Sequence, residues 1–432
     1  MKIAYFSPFS PMKSGISDFS EELVIKLKEY HDITLFADHG IVDNEIINAN
    51  FEIMDIFDYE NEAVRAQFDI AVFHMGNNYT FHKDIAGIFL KYGGILELHD
   101  VALHHFLADA TVVQGEKDNY IRAMKYCHGH VGEEQARAFL RGKRKAPWAN
   151  ESLKYMVNKY FIDRAQAVIV HSDFAYEIVK GLRNEVPVVK IELHTPEMCR
   201  YSQEQKNEIR KQLGIENNKL ILGAYGYASA EKRILQILNA LALYKKTNKN
   251  FHFYIVGKVA SINIEKEIKK LKLQYNVTST SYVDLDKLKL YMAACDIAFN
   301  LRYPTQGESS ASLARLLGMG KVVFVTDIGS FKEYADDVVI KIEYGNKEVS
   351  QIYEKLLSTA EKLEQYGENA YQYALRHNNV DINAQKYADF FQKMVDHMEI
   401  ECEYEDRLLD KVFQLQLDDD QYVRRLCDRM EY

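Results

Sequence analysis

Four loops carry residues that could do chemistry, and each stands between a short apolar run and a helical pattern. The most specific is Asn300-Leu301-Arg302-Tyr303-Pro304-Thr305-Gln306-Gly307-Glu308-Ser309-Ser310. A Gly-Glu-Ser-Ser turn that opens a helix offers backbone N–H donors, two hydroxyls and one carboxylate. The donors of Gly307, Ser309 and Ser310 suit a diphosphate, and the Glu308 carboxylate suits sugar hydroxyls. A second loop, Gly223-Ala224-Tyr225-Gly226-Tyr227-Ala228-Ser229-Ala230-Glu231-Lys232-Arg233, puts two cations at a helix start. Lys232 and Arg233 oppose the helix dipole there, a misfit that a bound anion removes. A third, Gly93-Gly94-Ile95-Leu96-Glu97-Leu98-His99-Asp100, delivers His99 and Asp100 to a strand end. A neutral imidazole at such a place can give or take one hydrogen bond. The fourth runs from Ser7 to Ile16. It is not the G-x-G-x-x-G of a dinucleotide oxidoreductase, but Gly15 lets a phosphate approach the N–H groups of the next helix.

Each residue also has a blander reading. His99 can be a satisfied core histidine, Lys232-Arg233 a solvated helix start, and Glu308 a residue that merely complements a helix dipole. A metal site is not expected. His104 and His105 follow His99, and Cys127-His128-Gly129-His130 lies further on, but neither group has a further ligand type placed beside it.

The elements that must hold these loops alternate between short apolar strands and longer helical stretches. Strands are expected at Lys2–Phe6, Asp32–Phe36, Ile70–His74, Gly94–Leu98, Ala167–His171 and Val188–Leu193. The alternation restarts at Leu220–Ala224, Phe251–Val256, Ile297–Asn300, Val322–Thr326 and Val338–Ile342. Several are continuously apolar, as strands covered on both faces should be. A helix is expected over Ser17–Tyr30, and Ser202 with Gln205 forms a capping box for another. The fold class is therefore α/β: two Rossmann-like domains facing a cleft, with a helical C-terminal extension. The expected divisions are 1–195, with a helical insertion over about 105–165, then 196–380, then a helical tail over 381–432 that packs back on the body.

The chain has 432 residues, 47% hydrophobic and 27% charged, with net charge −9. That acidic balance excludes a nucleic-acid partner, which needs a basic surface. No apolar run nears the ~20 residues of a membrane span, and Met1–Phe6, cut off by Pro8, reads as a strand rather than a leader. Five scattered cysteines form no framework and fit a cytoplasmic protein. Arg141-Gly142-Lys143-Arg144-Lys145 beside Trp148 could touch the inner face of the cell membrane: cations on headgroups, indole at the interface. A solvated loop tip is the alternative.

In order along the chain, these pieces resemble the family 4 (group 1) glycosyltransferases of the GT-B fold. The resemblance rests on Ser7–Ile16, Gly76-Asn77-Asn78 with His82, Leu98-His99-Asp100, Ala167–Ser172, Gly226–Arg233, Tyr291–Ile297, Arg302–Glu308, Gly320–Val323 and Asp327–Phe331. The form Arg-x-Pro-Thr-x-Gly-Glu-x-Ser is similar to a bacterial branch that builds surface polysaccharides. The resemblance implies transfer of a hexose-type sugar, with retention, from a nucleoside-diphosphate sugar to a glycan, lipid-linked or protein acceptor, without an obligatory metal or other cofactor. It implies that Gly15 approaches the diphosphate and that His99 contacts the sugar or leaving phosphate. It implies that Lys232 neutralises the diphosphate and that Glu308 holds the donor sugar; either Arg233 stands in as a second cation or one cation is lost. Asp100, Asn77, Asn78 and His82 fall where sugar or acceptor would lie. Two positions depart from the family. The arginine expected after the loop glycine is Tyr227, and the second glutamate of the family's pair falls near Arg315 or Leu316. Those departures keep two other readings open: a non-catalytic nucleotide-sugar-binding subunit of a complex, and a sugar epimerase of the same fold. An oligomer or partner subunit also stays open.

Overall fold

The computed structural model describes residues 1–259, 263–359 and 361–414, with side chains described up to residue 397. Seven strands form the first sheet: β1 (Lys2–Phe6), β2 (Asp32–Ala37), β3 (Glu52–Asp55), β4 (Ile70–Met75), β5 (Gly94–Leu98), β6 (Ala165–Val170) and β7 (Val188–Lys190). Six form the second: β8 (Leu220–Tyr225), β9 (Phe251–Val256), β10 (Val277–Ser279), β11 (Ile297–Asn300), β12 (Val322–Thr326) and β13 (Ile340–Ile342). Their orders are β3-β2-β1-β4-β5-β6-β7 and β10-β9-β8-β11-β12-β13, with parallel pairing throughout.

The central strands β4, β5, β11 and β12 are buried along their whole length. Helices cover both of their faces, which is why these segments read as unbroken apolar runs. In both sheets the strand order turns back beside the first strand, between β1 and β4 and between β8 and β11. A crevice opens at such a switch point, outside the carboxyl ends of the strands. The loops after β1, β5, β8 and β11 are the four chemical loops of the sequence.

The strand expected at Ala167–His171 starts earlier, at Ala165, and those expected at Val188–Leu193 and Val338–Ile342 are shorter. The edge strands β3 and β10 carried no sequence expectation. The expected Ser17–Tyr30 helix runs from Gly15 to Leu27. Ser202 and Gln205 do cap each other's backbone, with Gln205 N–H donating to Ser202 Oγ at 3.2 Å and Ser202 N–H to Gln205 Oε1 at 2.8 Å.

Between β5 and β6 the chain builds the helices His104–Ala110, Lys117–Leu140, Pro147–Asn150 and Lys159–Arg164. They gather a small core of their own around Tyr120, Met124, Ala136 and Tyr155. Trp148 joins that core, its ring 4.9 Å from Phe139 and 5.1 Å from His104. Arg144 pairs with Glu151 and lies over Tyr155. Packing thus takes up part of the indole that the sequence offered to a membrane interface, and Trp148 is half-buried. Arg141, Lys143 and Lys145 are the exposed part of the knot. No helix of the described residues is long and apolar enough to cross a membrane.

Both sheets lie in one compact unit, Met1–Lys386, and a second unit begins at Tyr387. The last helix is Val380–Gln414, and the rest of the expected tail, 415–432, lies outside the described residues. Within the first unit, residues after β13 return to the segment that follows β7: Asn378 Nδ2 donates to Leu193 O and Asn383 Nδ2 to Glu192 O, each at 2.7 Å.

Arg315 ties the halves together. It sits on the Ala311–Gly318 helix, only 5% exposed. It donates to Glu22 on the Gly15–Leu27 helix at 2.6 Å and to Glu197 in the connection, where Lys289 also pairs at 2.7 Å. Removing one member of a buried ion pair leaves an uncompensated charge. Arg315→Met is therefore expected to cost about 3–5 kcal/mol of stability, read from denaturant melts. A loss of about 1 kcal/mol or less, the scale of an exposed pair, would show that this contact does not hold the halves.

Candidate functional site

The second-sheet wall of the cleft is built from the loops after β8 and β11. Gly226 turns at φ +84°, and the chain then folds back so that Lys232 Nζ donates to the Tyr225 carbonyl at 2.5 Å. Burial, with Arg302 nearby and against the pull of Glu308, lowers the Lys232 amine to about 7. Arg233 goes elsewhere. It takes the left-handed conformation, φ +59°, and its guanidinium grips the buried Glu348 through Nε at 3.0 Å and Nη2 at 2.6 Å. The cation beside Lys232 is instead Arg302, which sequence reasoning quoted in a motif without a role.

Arg302 Nη1 donates to Glu308 Oε1 at 2.5 Å. The other oxygen, Oε2, accepts from Thr305 Oγ1 at 2.7 Å and from the Gln306 N–H at 2.6 Å. Glu308 is thus 7% exposed and held on three sides by its own loop. Gly307 turns at φ +74°, and a Cβ there would lie 2.9 Å from Val101 of the first-sheet domain. The glycine lets this loop dock: Ala102 N–H donates to Gln306 O and Ser152 Oγ to Thr305 O, both at 2.8 Å. Ser309 Oγ points to His171 O at 3.4 Å. Ser310 caps the following helix through Leu313 N–H and bonds Asn300, so its hydroxyl does structural work.

The first-sheet wall holds Gly15, His99 and Asp100. Ser14 caps the Gly15–Leu27 helix. A Cβ on Gly15 would meet nothing within 4 Å, because that position opens on the cleft. Gly15→Ala is therefore expected to melt like the wild type yet raise the donor KM roughly tenfold, since the methyl stands where a phosphate would approach. Steady-state kinetics check this, and an unchanged KM would remove Gly15 from the site.

Asp100 Oδ2 accepts the Asn77 N–H at 2.8 Å. Burial and Glu308 push its carboxyl up to about 7, against Asn77 and Arg302. Asn77 Oδ1 accepts from Phe106 N–H at 2.9 Å, and Asn78 caps the Tyr79–Tyr92 helix. His82 is buried against the His74 carbonyl, with burial lowering it to about 4. Of these three only Asn77 bonds Asp100, and none lines either cleft cavity.

Both ring nitrogens of His99 are engaged, Nε2 with His74 Nδ1 at 3.0 Å and Nδ1 with His171 Nε2 at 3.1 Å. Glu97 lies beneath them. His74, Glu97 and His99 offer ligand atoms within 4.8 Å of one another, a group among the described residues that sequence reasoning missed. The signal was available: a glutamate within Gly-Ile-Leu-Glu-Leu and a histidine within Ile-Ala-Val-Phe-His-Met interrupt wholly buried strands, where ionisable groups are rare unless partnered.

Two adjoining cavities make the cleft. The smaller, about 370 Å³, is lined by Gly15, His99, Asp100, Lys232, Arg302 and Glu308 among others. The larger, about 710 Å³, extends from Gly15 past Tyr227, Lys258, Tyr282 and Arg315. Tyr227 is 57% exposed within it. Arg315 faces this cavity while Leu316 is buried in the core, so the residue at the cleft is the arginine.

Residues 205–373 match the family model of glycosyl transferases group 1. No curated protein matches the chain in sequence. Among solved structures, Anabaena HepE in complex with UDP-glucose is similar with a TM-score of 0.63 at 15% identity, over 91% of this chain and 100% of that one. Sucrose-phosphate synthase from Thermosynechococcus elongatus gives 0.63 at 12% identity, over 92% and 100%. WaaG, a glycosyltransferase involved in lipopolysaccharide biosynthesis, gives 0.60 at 15%, over 90% and 99%. The fold is that of the GT-B glycosyltransferases, two Rossmann-like domains with a cleft between them.

Proposed function

We propose that this chain is a retaining, nucleotide-sugar-dependent glycosyltransferase of family 4 type. On this reading it moves a hexose-type sugar from a nucleoside-diphosphate sugar to a glycan, lipid-linked or protein acceptor, in surface-polysaccharide synthesis on the cytoplasmic side of a bacterial membrane. The observation that carries the reading is one cavity with two opposed walls. Lys232, Arg302 and Glu308 line one wall, and His99, Asp100 and the open helix start at Gly15 line the other.

Breaking the bond between sugar and phosphate puts negative charge on the diphosphate and positive character on the sugar ring. Preorganised cations and N–H dipoles stabilise the first at little reorganisation cost. Lys232, Arg302 and the N-terminus at Gly15 supply these. The Glu308 carboxylate faces the same cavity and suits sugar hydroxyls through the lone pairs its loop leaves open. Gly307 and Ser309 shape that loop. Asp100, with its carboxyl near neutrality, stands on the acceptor side. We assign no protein nucleophile.

Charge compensation by side chains and a helix end leaves no step that needs a metal, so transfer is expected to persist in EDTA. Complete inhibition that added metal restores would overturn this. The reading itself is tested by thermal shift against uridine, guanosine and adenosine diphosphate hexoses, because a ligand of the native state raises its melting point by mass action. Release of nucleoside diphosphate in the presence of acceptor extracts then tests turnover. Stabilisation without turnover would favour the non-catalytic binding subunit, which the departures at Tyr227 and Arg315 suit. No stabilisation by any donor would sink the proposal.

A further inference from the structure

Beneath His99 the ring contacts form a directed chain. His171 Nδ1 lies 2.8 Å from the Ile191 carbonyl, which can only accept, so that nitrogen carries a hydrogen. Burial lowers His171 to about 4 and keeps the ring neutral, so its Nε2 is an acceptor. His99 Nδ1, 3.1 Å away, must donate to it. His99 Nε2 is then an acceptor as well, and His74 Nδ1 donates to it over 3.0 Å. The remaining lone pair, on His74 Nε2, faces Glu97 Oε2 at 3.3 Å. Two lone pairs repel, and a proton held on the Glu97 carboxyl would close the chain onto that nitrogen with all three rings neutral. A single backbone carbonyl thus orders the tautomers of three rings, one on β4 and two just past the ends of β5 and β6.

The rest of the cluster has no slack. His74 and Glu97 are 0% exposed, His171 6% and His99 9%. Glu97 Oε1 is 3.6 Å from His171 Nε2, and Phe19 meets the His99 ring edge-on with centroids 5.1 Å apart. With both nitrogens spoken for, His99 offers the cavity an oriented ring and no N–H.

We infer that Glu97, His74 and His171 are positioning residues that lock His99 as an uncharged Nδ1–H tautomer, a neutral wall against the sugar while that sugar gains positive character. A free imidazole at the same place could take up a proton and repel the developing charge. The inference rests on the glycosyl-transfer reading for its purpose, but its geometry can be tested without it.

The test combines long-range ¹⁵N–¹H spectra of histidine-labelled full-length protein with the kinetics of two variants. In the wild type, His74, His99 and His171 should all appear as neutral Nδ1–H tautomers. Glu97→Gln keeps a donor toward His74 Nε2 and should preserve the spectrum and most of kcat. Glu97→Leu removes the donor. It should leave His74 Nε2 without a partner, loosen the His74–His99 contact and lower kcat about 10–100-fold with the donor KM unchanged, the size of a positioning error at a reacting centre, while the Ile191 carbonyl still holds the tautomers of His171 and His99. Where Glu97→Leu fails to fold, His171→Phe breaks the chain from its other end. A wild-type His99 that is an imidazolium or an Nε2–H tautomer overturns the inference. So does wild-type kcat in Glu97→Leu, or a stoichiometric divalent metal in the purified protein. Absence of transfer by the wild type would sink the proposed function, while the spectrum would still decide the relay.

Discussion

Lys232→Ala is expected to lower turnover at saturating donor by about 10²–10³-fold, the usual loss when one preorganised charge-stabilising group is removed. The fold should survive. Burial already disfavours the charged amine, so deleting it relieves a desolvation cost and gives up one hydrogen bond to the Tyr225 carbonyl. Arg233 cannot take over, because Glu348 holds its guanidinium. Arg302 remains, which is why the loss should stop short of abolition. Turnover within threefold of wild type, about 0.65 kcal/mol in the barrier, would remove Lys232 from the mechanism.

The same amine gives the prediction a pH signature. With the cleft empty, Lys232 titrates at about 7, so it loses its charge as pH rises through that value. A diphosphate beside it favours the ammonium form and pulls the pKa back up. Donor binding at about pH 8 should then take up a proton, and affinity should fall as pH rises. Calorimetry in buffers of different ionisation enthalpy measures the uptake. Asp100, also near 7, would take up protons too when an anion approaches, so the comparison that counts is wild type against Lys232→Ala. Equal uptake in both would place the effect on Asp100.

Much of this site was legible because chemistry and topology coincide. Buried parallel strands are apolar along their length, so β1, β4, β5, β8, β11 and β12 announced themselves, and the loops that follow them had to lie at the crevice. Edge strands lack that constraint. β3 is half-buried and β10 mostly exposed, so neither carried a hydrophobic signature. Within the site, Lys232 and Glu308 could be placed from the loop that holds them, but pairing could not. Whether Arg233 or Arg302 faces the cleft depends on Glu348, over a hundred residues away in sequence, and on the left-handed turn at Arg233. Trp148 looked like an interfacial anchor beside cations, but it packs half-buried against Phe139 and Tyr120, contacts that only the fold of the insertion supplies. The histidine chain was missed because His74 and Glu97 sit on different strands and His171 just past the end of a third, and only the register of β4, β5 and β6 brings them together.

Glu308→Gln separates a residue that only shapes its loop from one that also holds the donor. The carboxylate accepts from Arg302, Thr305 and the Gln306 N–H. An amide has one acceptor oxygen, so its NH₂ must face either the Arg302 guanidinium or the Gln306 N–H, donor against donor. Hydrogen bonds to a charged group contribute about 1.5–3 kcal/mol each, and one of them is lost whichever way the amide turns. The variant should therefore melt several degrees lower, a consequence of the loop alone. The loop also carries Arg302, and freeing that guanidinium disturbs the cation beside Lys232. Turnover at saturating donor is accordingly expected to fall by about 10²-fold or more, since a misplacement near 1 Å at the reacting centre costs that much. Glu308→Asp sharpens the comparison. It keeps the charge but shortens the reach, so the loop bonds loosen while an anion still faces the cavity. If Glu308 acts only by tying the loop, the Gln and Asp variants should lose activity in proportion to their lost stability. If it also holds the sugar, Glu308→Gln should lose far more activity than its melting point accounts for, with donor binding weakened only modestly. Single-turnover transfer beside a melting curve reads both quantities. A Gln variant that melts lower yet turns over like the wild type would confine Glu308 to the loop.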